Sequence, residues 1–300
     1  MTVLVAGWFS FESMGATAGD VLSRQVVTDW LRDAGIPFDV AAVEPFAGDV
    51  DWRTADPATY DHVIFVCGPF GNGWPLTDFL ERFARCRIVG MNLSLLEALD
   101  AWDPFDLLLE RDSSRATRPD MAFLATVPRL PVIGRVEVHP QEEYGERSEH
   151  DRAAELLDGL FAAHDAAVVS VDTRLDHNET GLRSAGQVEA VIARMDVVVT
   201  TRLHGMVLAL KNGVPVVALD PIRGGAKILR QASALGWPLC LTVDQATPAD
   251  LEAALAHALE PRARLAAAAV PVRARRQLAD VRIRLLDELA HRDAAPVRGG

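Results

Sequence analysis

Asp196-Val-Val-Val-Thr-Thr-Arg-Leu-His-Gly205 opens as a short apolar run and closes on a turn that carries an arginine and a histidine. The valines read as a strand buried on both faces, and Thr200 or Thr201 is suited to cap a helix that follows. That helix is expected to run to about Asn212 and to end at Gly213. Arg202 and His204 then lie at the carboxyl edge of a parallel strand and in the first turn of a helix. Ligands of open α/β sheets bind at that edge, where free backbone N–H groups favour anions. A guanidinium there can hold a carboxylate or phosphate through two parallel hydrogen bonds. An imidazole is suited to moving a proton near neutral pH. An arginine and a histidine that merely bond neighbouring loops would show the same spacing.

The next strand, Val214–Leu219, leads into Asp220-Pro-Ile-Arg-Gly-Gly-Ala-Lys227. Gly224 and Gly225 permit close approach of backbone to a ligand, and Arg223 offers a second anion contact. Lys227 falls in the first turn of a helix to Leu235, where an ammonium opposes the helix dipole. A bound anion explains that placement, and so does a solvated lysine. Only two lysines occur, Lys211 and Lys227, against a background of arginine. A lysine is a compact charge that arginine does not mimic.

Strand–helix alternation extends to both ends of the chain. In the first half, strands read at Val3–Trp8, Phe38–Val43, His62–Cys67, Arg87–Leu93 and Leu107–Glu110, with helices from Gly19 to Ala34 and over Leu76–Arg85. After the two prolines of Val127–Pro131 the pattern restarts. Strands follow at Val132–Val138, Ala167–Val171, Met195–Thr200, Val214–Leu219 and Leu239–Val243. Helices read at Glu149–Ala163, from Ser184 with a capping box to Gln187, and at Pro248–Leu259. Beyond Pro261 one or two helices close the chain, with Pro271 expected to break or kink them and a frayed tail from about Arg292. Continuous apolar strands separated by helices imply parallel sheets covered on both faces. The expected architecture is two Rossmann-like, doubly wound α/β domains, 1–128 and 129–300.

Composition narrows the function. With 49% hydrophobic and 24% charged residues, the chain is globular. The net charge of −12 argues against a nucleic-acid partner, so positive charge for an anionic substrate must be local. No apolar run approaches the ~20 residues of a bilayer span. Met1–Gly7 lacks a basic flank and reads as a core strand rather than a signal peptide, so a cytoplasmic location is expected. Cys67, Cys86 and Cys240 form no C-x-x-C pair and read as buried thiols, and no clustered ligand set for a metal is evident. Met195, Met206 and Trp8 read as core, and His62, His139, His150, His164, His177 and His257 as solvated or structural.

The strand and turn through Arg202-Leu-His-Gly205, continuing through Ala209-Leu-Lys-Asn-Gly-Val-Pro215 to Lys227 and Gly236, resemble the polysaccharide pyruvyl transferase family. Upstream, Glu110-Arg-Asp-Ser113 with Pro119-Asp120 is similar to that family's R-D-S and P-D pair. Gly15-Ala-Thr-Ala-Gly-Asp20 is similar to its G-x-N-x-G-D loop, with Thr17 in place of the usual asparagine. Gly68-Pro-Phe-Gly71 departs from the usual triple glycine. The likeness covers roughly residues 1–260 and is strongest from Gly181 to Gly236.

The resemblance implies a GT-B-like pair of domains with the active site in the cleft between them. It also implies phosphoenolpyruvate as donor and a saccharide or related hydroxylated acceptor, joined as a ketal with loss of phosphate and without a cofactor. By position, Arg202 and His204 meet the donor's carboxylate and phosphate and Lys227 neutralises the phosphate further, while Arg223, Gly224 and Gly225 join the expected donor contacts on the reading of their loop given above. His204 is the expected general acid. Asp20 or Asp112 is the expected base or acceptor-orienting group, against the alternatives that Asp20 only caps its helix and Asp112 only pairs with Arg111. Thr17, Asn72, Trp74 and Arg111 complete the expected acceptor side. A sugar-nucleotide glycosyltransferase of the same shape and a non-catalytic scaffold of the same fold are the competing expectations.

Overall fold

The computed structural model describes residues 1–12, 15–138 and 142–293. His139 and residues 294–300 of the expected tail lie outside the described residues. The chain divides into two compact units, Met1–Pro128 and Arg129–Gly300.

In the first unit, β1 (Val3–Gly7), β2 (Phe38–Val40), β3 (His62–Val66), β5 (Arg87–Met91) and β7 (Leu107–Leu109) form a parallel sheet in the order β2-β1-β3-β5-β7. Short strands β4 (Pro69–Phe70) and β6 (Ser94–Leu95) pair separately. Helices α1 (Ala18–Asp33) and α2 (Leu76–Arg82) belong to opposite layers. Alternation along β1 shows why. Val3 and Val5 pack with Val27 and Leu31 of α1, while Leu4 and Ala6 join an aromatic cluster containing Phe65 and Phe79 of α2. Gly35 ends α1 with φ +63°, as its position in the sequence requires.

The second unit repeats the plan. Strands β8 (Val132–Val136), β9 (Ala167–Ser170), β10 (Val197–Thr200), β11 (Val216–Asp220) and β12 (Cys240–Thr242) run parallel in the order β12-β11-β10-β8-β9. Helices α3 (His150–Ala162), α4 (Ala185–Ile192), α5 (Leu203–Lys211), α6 (Lys227–Leu235) and α7 (Pro248–Ala258) cover the sheet, followed by α8 (Pro261–Gln277) and α9 (Val281–Asp293). All four residues of β10 are buried. Val198 packs with Met206 and Leu210 of α5, and Val197 and Val199 pack with Leu251 and Leu255 of α7. Burying such a valine contributes about 1.5–3 kcal/mol, enough to override weak local preferences. In both sheets the strand order reverses beside the first strand, between β1 and β3 and between β8 and β10. Such reversal points are where doubly wound sheets open a crevice beyond their carboxyl ends.

Several boundaries differ from expectation. Strand β8 stops at Val136 because the next donor, the Val138 N–H, bonds the Thr201 hydroxyl at 3.0 Å instead of continuing the ladder. Pro271 neither breaks nor ends α8, which runs through it. Ala263, Ala267 and Val270 are buried along one face of α8, and that packing offsets the hydrogen bond the proline cannot make. At α4, Ser184 caps the Gln187 N–H at 3.2 Å, but the Gln187 side chain reaches back to the Arg183 N–H at 2.6 Å, one residue beyond a reciprocal box.

Candidate donor site at the carboxyl edge of the second sheet

The β10–α5 turn is built by Thr200. Its hydroxyl lies 2.6 Å from the Val136 carbonyl and accepts the Arg202 N–H at 2.9 Å. With both threonines engaged by the sheet edge, neither caps α5. The N-cap is Arg202, whose side chain makes no capping bond. Among the described residues no side chain caps the first N–H groups of α5, which leaves them for an outside acceptor. Gly205 fixes how closely that turn sits. A Cβ there would lie 2.3 Å from Thr200 Oγ1 and 2.8 Å from Val136 Cγ1.

Arg202, His204 and Lys227 line one cavity of about 250 Å³ with Thr201, Ile222 and Asp220. The Arg202 side chain is only 14% exposed. Its Nη1 donates to Asp172 Oδ1 and to Thr173 Oγ1, each at 3.1 Å. Its Nε and Nη2 have no hydrogen-bonded acceptor among the described residues. Burial pulls the guanidinium below its ordinary value, and the neighbouring Asp172 carboxylate opposes that shift. His204 is exposed and has no hydrogen-bond partner among the described residues.

Lys227 begins α6, and its Nζ lies 5.7 Å from the centre of the Tyr144 ring. The anion at this helix end comes from the protein itself. The buried Asp220 carboxylate accepts the N–H groups of Ala226 at 2.7 Å and Leu229 at 3.0 Å. The dipole argument for a bound anion at Lys227 is thus answered by Asp220, and Lys227 is left facing the cavity. Arg174 adds a cation to the lining and is paired with Asp176 at 2.6 Å, which holds that carboxyl at about 2.

Residues 117–221 match the polysaccharide pyruvyl transferase family model.

Asp120, Asp172, Arg202, His204 and Asp220 fall inside the matched stretch, while Lys227 follows it. No curated protein matches the chain by sequence. Among solved structures, the spinosyn forosaminyltransferase SpnP is similar at 15% identity, covering 97% of this chain and 99% of that one, with a TM-score of 0.35. A glycotransferase of kitacinnamycin is similar at 12% identity over 94% and 98%, with a TM-score of 0.34. Acinetobacter baumannii MurG is similar at 12% identity over 92% and 94%, with a TM-score of 0.26.

Of the residues expected to hold a donor, three do not reach the cavity lining. Arg223 is turned to Glu149, its Nη2 lying 2.6 Å from Oε1. Gly224 and Gly225 serve the turn, with φ of +74° and +76°. The Gly224 N–H bonds Asp244 at 3.0 Å, and a Cβ on Gly225 would strike Leu229. Residues that the sequence reading passed over do line the cavity or support it: Asp172, Thr173, Arg174, Asp220 and Tyr144. Asp220 ends the buried strand β11, a position that could have flagged it, whereas Asp172 follows β9, whose four residues are exposed and give no such signal. Tyr144 lies in a short 3-10 segment, Glu142–Arg147, too short to give a periodic signal.

The expected acceptor residues of the first unit fall into separate groups. Thr17 and Asp20 form a reciprocal capping box on α1, with Asp20 Oδ2 accepting the Thr17 N–H at 2.7 Å and hydroxyl at 2.8 Å. Asn72 and Trp74 line a hollow of about 250 Å³ with Trp8 and Glu97. Trp74 is 70% exposed and Trp8 is core. Arg111 and Asp112 instead belong to an internal network. Arg111 bonds Asp120 at 2.8 Å, Asp112 at 3.3 Å and the Ser94 hydroxyl, and Ser94 bonds Asp112 at 2.5 Å. These partners, Asp120 first, raise the guanidinium's affinity for its proton. The R-D-S and P-D pair is thus one physical unit, and its polar groups are directed at each other. Next to it, the fully buried Glu110 carboxylate is held at about 2, first by Arg115 at 2.9 Å.

Burial pushes the Cys67 and Cys86 thiols up, away from nucleophilic use. Among the described residues, no cluster of His, Cys, Asp or Glu is suited to hold a metal ion, and no helix is long and apolar enough to cross a membrane.

Proposed function

We propose that this protein is a pyruvyl transferase that moves the pyruvyl group of phosphoenolpyruvate onto two hydroxyls of a saccharide or related acceptor. One observation carries the reading: Arg202, His204 and Lys227, the first and last 25 positions apart in the chain, share one small cavity at a helix N-terminus that no side chain caps. The donor carries a carboxylate and a phosphate close together. Arg202 Nε and Nη2 suit one anion, and Lys227 with the α5 N–H groups suits the other.

His204 delivers a proton to the methylene carbon of the donor, leaving a cationic carbon that the carboxylate and nearby dipoles stabilise. A first acceptor hydroxyl adds to that carbon. A second displaces phosphate, and the two C–O bonds close the ketal. The two hydroxyl protons end as one methyl hydrogen and one proton on the phosphate, with His204 restored in between. Asp20 is the candidate base in the first unit, where its second carboxylate oxygen has no partner among the described residues. Asn72 and Trp74 are the candidate acceptor contacts, the indole offering a face on which a sugar can stack.

The test is product-specific. The protein is incubated with phosphoenolpyruvate and a panel of glycans, and phosphate release is measured with a mass gain on the glycan. Release of nucleotide from sugar nucleotides, with no phosphate from phosphoenolpyruvate, would overturn the proposal in favour of a glycosyltransferase.

A further inference from the structure

Arg202 lines the cavity it shares with His204 and Lys227, while its partner Asp172 lines a second hollow of about 280 Å³ with Glu137, Asp151, Glu179 and Arg135, and Val138 and Thr201 line both. To act on the donor, the guanidinium must be held against rotation towards the carboxylates of that hollow.

Asp172 has the geometry to do so. It follows β9 with its side chain 9% exposed. Its Oδ1 accepts Arg202 Nη1 at 3.1 Å and the Arg174 N–H at 2.9 Å, and its Oδ2 accepts the Glu179 N–H at 3.3 Å. The loop it anchors is closed by Asn178, whose Nδ2 donates to the Asp172 carbonyl at 2.9 Å. Backbone donors therefore set the carboxylate, and the carboxylate sets the arginine. Thr173 Oγ1, at 3.1 Å from the same Nη1, adds a second fixed point. Two acceptors on Nη1 fix the plane of the rigid fork and point its remaining edge away from them.

We propose that Asp172 is a positioning residue for Arg202, orienting the guanidinium towards the donor. The inference rests on the pyruvyl transferase reading for the identity of the donor, but not for the pairing itself. Electrostatics makes the test sharp, because two roles predict opposite signs. A carboxylate that merely neighbours an anion site repels the anion, so its removal strengthens binding. A carboxylate that orients the arginine weakens anion binding when it is lost.

Phosphoenolpyruvate affinity is measured by calorimetry on the full chain for wild type, Asp172→Asn, Arg202→Ala and the double variant. Asp172→Asn keeps an oxygen acceptor for the loop N–H groups, and Thr173→Val supplies a second variant that leaves the carboxylate intact. The expected result is about 10-fold weaker binding in Asp172→Asn, a smaller loss in Thr173→Val, and no added loss from Asp172→Asn in the Arg202→Ala background. A donor-independent readout runs alongside: phenylglyoxal labelling of Arg202, followed by peptide mass spectrometry. Labelling is expected to rise several-fold in Asp172→Asn. Tighter donor binding in Asp172→Asn, or unchanged labelling of Arg202, overturns the positioning role. If wild type binds no phosphoenolpyruvate while labelling still rises, the pairing stands and the donor assignment fails.

Discussion

At the scale of single residues, the second unit's site rests on side chains that differ in how tightly they are held. Arg202 is fixed by Asp172 and Thr173, whereas His204 is exposed and unbonded among the described residues. The proposed roles of anchor and proton carrier call for that difference. Arg202→Ala should weaken phosphoenolpyruvate binding by about 10- to 100-fold, the equivalent of a lost charge-assisted pair, with unchanged calorimetric affinity removing it from the site. His204→Gln should instead leave donor affinity within a few-fold and lower kcat by about 100-fold or more, read as phosphate release at saturating donor. An undiminished kcat would take the general-acid role away from it. Both residues were legible in the sequence because a buried strand followed by a helix fixes where the turn between them must lie. Asp172 was not, since its role depends on a partner 30 positions away.

At the scale of elements, two devices hold the site in shape. Gly205 lets α5 sit against the ends of β8 and β10. Gly205→Ala would place a methyl 2.3 Å from the buried Thr200 hydroxyl, so α5 must move. The expected cost is about 1–3 kcal/mol, seen as a lower melting temperature, with a loss of kcat/KM as the turn shifts. Full stability and activity in that variant would show the contact to be slack. In the first unit, the R-D-S segment is stapled by Glu110, whose carboxyl is held at about 2. A carboxyl lowered in the folded state contributes stability above its ordinary value and loses it as pH falls towards the folded one. Wild-type melting temperature should therefore drop between about pH 5 and about pH 2, with Glu110→Gln showing a flatter profile. At neutral pH the same substitution should cost about 1.5–3 kcal/mol, less whatever solvent screening at the half-exposed Arg115 removes. Parallel profiles would locate the acid sensitivity elsewhere. Helix and strand positions were largely readable from periodicity. The cap of α5, the end of β8 and the course of α8 through Pro271 were not, because each follows from contacts between elements.

At the scale of the molecule, two units carry separate cores, each a five-stranded parallel sheet with the same order of strands. The chain from Ala125 to Leu130 that joins them is irregular and mostly exposed. Trypsin under native conditions is expected to cut after Arg129, giving two fragments that each keep protected amides in their central strands; survival of that bond while other exposed arginines are cut would contradict it. The sequence by itself determined the parallel α/β class, the restart of the pattern near Pro131 and the strand edge where Arg202 and His204 stand. Hydrophobic period and chain direction are local properties, and they settle those matters alone. Only the tertiary structure decided which polar groups answer each other. It turned Arg223 to Glu149 and Arg111 to Asp120, put Asp220 at the end of α6, and set Asp172 behind Arg202. Charged side chains pair with what the fold brings within about 3 Å, and distance in space is not written in spacing along the chain.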